Sequence, residues 1–284
     1  LLAEQDDISN VSPSFGIGAG IRVFLGTKDG FVSTNDMSKQ GLLFALSQAL
    51  RMLGLEIGTR NSRNFDGLCK LKDFGINKNN WLKKSPDLNE STFKLLESTK
   101  LLASKNTNLQ VRRASYSRNW QEVLVAATDG VFARDIRLHQ TVGINVIAAK
   151  DKNRSTSARR YGSSGNPNDL RNWNIDESAT ELNESAQKML NAEYVQAGQM
   201  PVVLANKFGG VIFHEACGHL LETTQLERGT SPFHDKINQQ IAHNSVSAVD
   251  EGISNYAFGS LSMDDEGMEP QSTLLIKNGI LKKF

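Results

Sequence analysis

His214 and His219 stand five residues apart with Glu215 between them, in the run Val211-Ile212-Phe213-His214-Glu215-Ala216-Cys217-Gly218-His219-Leu220-Leu221. No other segment of the chain gathers three groups of this chemistry within six residues. The apolar residues on either side predict a helix. A regular helix advances about 100° per residue, so positions i and i+5 face roughly 140° apart. A chain that uses both imidazoles together must widen that turn by one residue, as a π-type bulge does, or end the helix near Gly218 and swing His219 back. If neither happens, the two histidines are hydrogen-bonded parts of a buried helix.

Two imidazoles beside a carboxylate suit zinc, which takes neutral histidine nitrogens at about 2.0–2.1 Å. In the commoner i, i+4 spacing the glutamate after the first histidine serves as general base. His214 and His219 are therefore candidate ligands and Glu215 the candidate base. Cys217, three residues after His214, points elsewhere on a regular helix and reads as a small apolar packing residue. Glu222, one turn after His219, either orients an imidazole or is exposed helix charge. His234 and His243 read as surface residues. Asp264, Asp265 and Glu266, just before Gly267, read as a solvated turn, with a structural or substrate-side role as the alternative.

The chain has 284 residues, 39% hydrophobic and 22% charged, enough apolar material to bury more than one core. Its net charge of +1 gives no reason to expect nucleic acid or a membrane surface as partner. No apolar run approaches the roughly 18 residues that span a bilayer. Two distant cysteines, Cys69 and Cys217, make no disulfide framework, and a reducing, cytoplasmic compartment is expected.

Patterning predicts an α+β chain: an N-terminal α/β region with antiparallel sheet, then a mainly β C-terminal domain carrying the motif helix. Residues 1–54 form a first domain. Strands over Ile21–Leu25 and Phe31–Thr34 flank a turn at Lys28-Asp29-Gly30, and a helix capped by Asn35 or Asp36 comes next. Its apolar stripe is Leu42, Leu43, Leu46, Leu50 and Leu53, ended by Gly54. The glycines from Gly16 to Gly20 lead into a strand where a nucleotide-binding loop needs a helix, so close sheet packing is the better reading.

Residues 55–84, with Cys69, read as a linker. Residues 85–198 form a second α+β domain, opened by a helix starting at Ser85-Pro86-Asp87 whose buried face holds Phe93, Leu95, Leu96, Leu101 and Leu102. Beyond it lies a four-strand meander over Val111–Tyr116, Val123–Ala127, Val131–Leu138 and Thr141–Ala148. Arg112, Arg113, Arg134 and Arg137 along it read as solvated charge or, alternatively, as contact with a partner subunit or an acidic peptide. Residues 150–170 read as a polar loop, and Asp176–Ala192 as a helix buried through Leu182, Met189 and Leu190. Residues 199–284 open the C-terminal domain. Pro201–Ala205 is a buried strand there, and Leu274–Leu281 a hairpin on Asn278-Gly279. The chain stops at Phe284 within that hairpin, and an incomplete C-terminal domain is expected.

His-Glu-Ala-Cys-Gly-His, then Glu222, Glu227-Arg228-Gly229-Thr230-Ser231, Met263-Asp264-Asp265-Glu266-Gly267 and Ile276–Leu281 together resemble the TldD branch of the TldD/PmbA family. Gly20–Phe24 and Gly30–Asp36 resemble that family's first domain. The resemblance implies a soluble zinc metallopeptidase acting on unfolded or flexible peptides and pairing with a PmbA/TldE-type subunit that lacks the motif. It implies His214 and His219 as zinc ligands, Glu215 as general base, and a third ligand, a cysteine, beyond Phe284. Two other readings stand beside it. One is a catalytically inactive binding or modulator subunit in which His214 and His219 are structural. The other, a metal hydrolase of small molecules, finds no further small-molecule site in the sequence.

Overall fold

The computed structural model describes residues 1–58, 70–74, 88–105, 109–164, 174–252 and 257–284. Cys69, the helix start at Ser85-Pro86-Asp87 and most of the expected linker lie outside these residues. The fold is α+β, in two compact units: Val11–Leu68, and Leu1–Asn10 together with Cys69–Phe284.

The smaller unit is a hairpin with one helix. Strands β3 (Ala19–Leu25) and β4 (Lys28–Thr34) pair antiparallel, turning at Gly26 with φ +62°. Of the glycines from Gly16 to Gly20, Gly18 and Gly20 pack closely as expected, Gly18 against the Thr34 carbonyl, whereas a Cβ on Gly16 would have no neighbour within 4 Å among the described residues. A Cβ on Gly20 would lie 2.9 Å from the Phe31 ring. Helix α1 (Lys39–Met52) is capped by Ser38, whose Oγ accepts from the Gly41 amide, and not by Asn35 or Asp36. The leucine stripe is not its deepest face. Gly41, Ala45 and Ala49 are the buried residues, while Leu43 is exposed. The cause is close approach: a Cβ on Gly30 would sit 2.3 Å from the Ala49 carbonyl oxygen, so only small residues fit between α1 and β4.

The larger unit is built on two long strands. β6 (Leu109–Ala126) and β7 (Phe132–Lys150) form one hairpin that closes at Gly130, φ +104°. The expected four-strand meander is thus two strands. Polar residues 117–122 interrupt the hydrophobic alternation, but their backbone continues to pair, Ser117 with Thr141 through Glu122 with Ile136. A third strand, β8 (Asn153–Ser164), occupies most of the expected loop and pairs with β7. Ser155 and Ser157 alternate inward and are buried, so β8 has the period of a strand without its hydrophobicity. The hairpin β1 (Leu2–Glu4) and β2 (Asp7–Asn10) lies against β6, and β5 (Lys72–Asp73) runs parallel to β7.

Helices α2 (Leu88–Lys105) and α3 (Ile175–Leu190) cover one face of this sheet. The core combines Leu95 and Leu102 of α2, Ala179, Leu182, Ala186 and Leu190 of α3, and the alternating Val142, Ile144, Val146 and Ala148 of β7. Phe93 and Met189, expected inside, are exposed. The four arginines are paired rather than merely solvated. Arg112 meets Asp6, Arg113 meets Glu4, and Arg134 bridges Asp73 and Glu122. Arg137 donates to Asp265 Oδ1 at 2.8 Å and to the carbonyls of Met263 and Asp264, fastening a C-terminal loop to the sheet.

In the C-terminal part, Pro201–Ala205 is irregular and exposed, Val203 almost fully, where a buried strand was expected. No described strand lies beside it, and periodicity alone cannot supply one. Strands β9 (Ala248–Glu251), β10 (Ser272–Lys277) and β11 (Ile280–Leu281) form a small antiparallel sheet. Its Asn278-Gly279 turn has both residues at positive φ, +50° and +78°, as the hairpin reading requires. Leu182 is fully buried between α3 and the large sheet. Leu182→Ala is expected to lower the free energy of unfolding by about 2–5 kcal/mol, read from urea denaturation.

Candidate metal centre

Residues 207–221 are helical in four successive pitches. A 3₁₀ turn at Lys207–Gly210 leads into α-helix at Val211–Phe213, a π turn at His214–Gly218 and a second 3₁₀ turn at His219–Leu221. The widened turn sits at the five-residue interval. Gly218 adopts φ −55°, ψ −54°, an ordinary right-handed helical conformation, so no glycine-only backbone is used. A Cβ there would meet His214 Nδ1 at 3.7 Å, a normal contact.

Packing holds this helix from the other side. Leu221 is buried with Ile276 of β10 and Leu281 of β11, and Cys217 packs against the same cluster. Burial pushes the Cys217 thiol up, as for a small apolar residue and opposite to a reactive thiolate. Residues 217 and 221 thus face the small sheet, while His214, Glu215 and His219 are turned out to solvent.

The π turn brings the outward residues together. One candidate ligand atom from each of His214, Glu215 and His219 lies within 4.8 Å of the others. The imidazole rings meet edge to face, centroids 4.3 Å apart. His219 Nε2 lies 3.8 Å from Glu215 Oε2, and His219 Nδ1 is 2.7 Å from Glu222 Oε1. Two imidazoles and a carboxylate converging on one exposed point match the nitrogen and oxygen donors that zinc accepts.

The remaining sequence candidates stand apart from this cluster. His234 and His243 are exposed, and His243 Nδ1 is engaged by Ser245 Oγ. Asp264 shapes a turn by accepting from the amides of Glu266 and Met268, and Asp265 is held by Arg137. That loop has the structural role that was the alternative to a merely solvated turn.

Three family models cover most of the chain: PmbA/TldA metallopeptidase domain 1 over residues 1–53, the central domain over 83–190 and the C-terminal domain over 197–284. The chain belongs to the PmbA/TldD metallopeptidase family. It is 30% identical to a metalloprotease TldD homolog of Buchnera aphidicola, over 94% of this chain and 56% of that protein. A zinc metalloprotease TldD homolog of Saccharolobus solfataricus is 31% identical over 39% of this chain and 25% of its own length. Among solved structures, TldE of Thermococcus kodakarensis shares the fold with TM-score 0.68 at 18% identity, over all of this chain and 63% of that one. The chain therefore spans little more than half the length of the Buchnera relative. Among the described residues, no helix is long and apolar enough to cross a membrane.

Because the π turn uses no glycine-only conformation, Gly218→Ala is expected to leave stability unchanged or raise it by up to about 1 kcal/mol, the ordinary helix preference for alanine. Thermal unfolding would show this. A loss of comparable size would mean the turn depends on glycine.

Proposed function

We propose that this chain carries the motif half of a zinc peptidase site, with His214 and His219 as ligands and Glu215 as general base. The observation that carries the reading is the π turn, which places three side chains at an awkward sequence spacing within 4.8 Å of one another. Such turns are rare and concentrate at functional sites. The name of the Saccharolobus relative supports zinc as the metal. A cysteine beyond Phe284, which the family resemblance implies, would complete the ligand set.

The substrate class we infer is unfolded or flexible peptide. The motif helix is exposed, and Phe208, Ile212 and Phe213 on it offer apolar contact to an extended chain. Zinc, when bound, supplies Lewis acidity to a scissile carbonyl and to the attacking water. Glu215 then takes a proton from that water and passes it to the leaving amine. His214 and His219 hold their nitrogens on the face that Glu215 shares. A PmbA/TldE-type subunit is the proposed partner, as the family resemblance implies. A reducing, cytoplasmic setting is inferred from the cysteines.

Glu215→Gln in the full-length protein, with its partner subunit present, is expected to retain zinc and to lose cleavage of an unfolded peptide by about 10²–10⁴-fold. Metal analysis and peptide hydrolysis read the two effects separately. Undiminished cleavage would contradict the role given to Glu215.

A further inference from the structure

We propose that Glu222 is a positioning residue that sets the tautomer and orientation of His219, so that Nε2 offers its lone pair to the metal. The proposal rests on the reading of His219 as a ligand.

The backbone explains how Glu222 reaches the ring. The 3₁₀ turn His219–Leu221 ends at Glu222, which leaves helical geometry with φ −72°, ψ 138°, and its amide donates to the His219 carbonyl. Glu222 then occupies the N-cap position of a short helix at Thr223–Glu227. N-caps favour Ser, Thr, Asp or Asn, whose short side chains bond the first free amides. Glu222 makes no such side-chain cap bond. Its carboxylate turns back to His219 Nδ1 at 2.7 Å. The carboxylate thus bonds the imidazole and none of the free amides of the helix it caps.

Hydrogen-bond chemistry fixes the tautomer. An ionised carboxylate only accepts, so Nδ1 must carry the hydrogen of a neutral ring. The opposite tautomer would set the Nδ1 lone pair against a carboxylate oxygen at 2.7 Å. With the hydrogen on Nδ1, Nε2 is unprotonated. Nε2 faces Glu215 Oε2 at 3.8 Å, beyond hydrogen-bonding distance, and thus points into the cluster. Ligating histidines are commonly held in this way, by a carboxylate on the ring nitrogen away from the metal. Half exposure of both partners argues for the lower end of the usual effect on affinity.

Two measurements test this. In the metal-free chain in mildly alkaline buffer, long-range proton–nitrogen NMR of the His219 ring should show the Nδ1–H tautomer. Glu222→Ala should shift it towards Nε2–H, and Glu222→Gln, which still offers an oxygen acceptor, should keep it. In the full-length protein, zinc competition should show about tenfold weaker binding for Glu222→Ala and substantial recovery for Glu222→Gln. Unchanged tautomer and unchanged affinity in Glu222→Ala, with zinc lost in His214→Ala, would overturn the role of Glu222 and leave the zinc reading standing. A wild-type protein that binds no zinc would overturn both.

Discussion

The widened turn at residues 214–218 sets what its surroundings must provide. A π turn is rarely stable on its own terms, so packing has to hold it. Leu221 and Cys217 supply that hold by burying one side of the motif helix against Ile276 and Leu281. The same two contacts fix the rotation of the helix. With residues 217 and 221 turned inward, the extra residue brings His214 and His219 onto a common outward face, beside Glu215. A regular helix anchored by the same residues would send the two imidazoles in different directions. The small sheet β9–β11 is thus a platform, and its Asn278-Gly279 turn sets the register that places Ile276 and Leu281 under the motif.

The large sheet gives the same unit its main core. The β6–β7 hairpin needs only backbone pairing to persist through its polar middle, and α2 and α3 bury its alternating apolar face. Arg137 links sheet and C-terminal part, its guanidinium shared among Asp265 and two carbonyls of the 263–265 loop. The Arg137 side chain is only 13% exposed, but that of Asp265 is 87% exposed and the ion pair is screened, so the two bonds to the carbonyls of Met263 and Asp264 carry the fastening.

Much of the fold and the site is legible where side chains alone decide. The i to i+5 spacing leaves a distorted helix, a broken one or a regular buried one with structural histidines, and the helix is distorted and its histidines exposed. The Asn278-Gly279 hairpin, the core leucines 95, 102 and 182, and the inward packing of Cys217 come from turn chemistry and period. The family resemblance rests on motifs from both ends of the chain. What escapes the sequence is whatever depends on partners distant along it. β8 reads as a loop because its inward residues are serines, buried only once β7 lies beside them. The arginines read as solvated because Asp6, Glu4, Asp73 and Asp265 are remote in sequence. Pro201–Ala205 reads as a buried strand from composition alone, yet a strand needs a neighbour. The Glu222–His219 bond is open to two readings until the backbone break at Glu222 is seen.

At the centre stands a single π turn that, on the proposed reading, delivers both imidazoles to the same metal ion. X-ray absorption at the zinc edge of the full-length protein tests this directly. Two imidazole scatterers are expected in the wild type, and one in either His214→Ala or His219→Ala. A zinc spectrum that neither substitution changes would place the metal elsewhere and contradict the proposal.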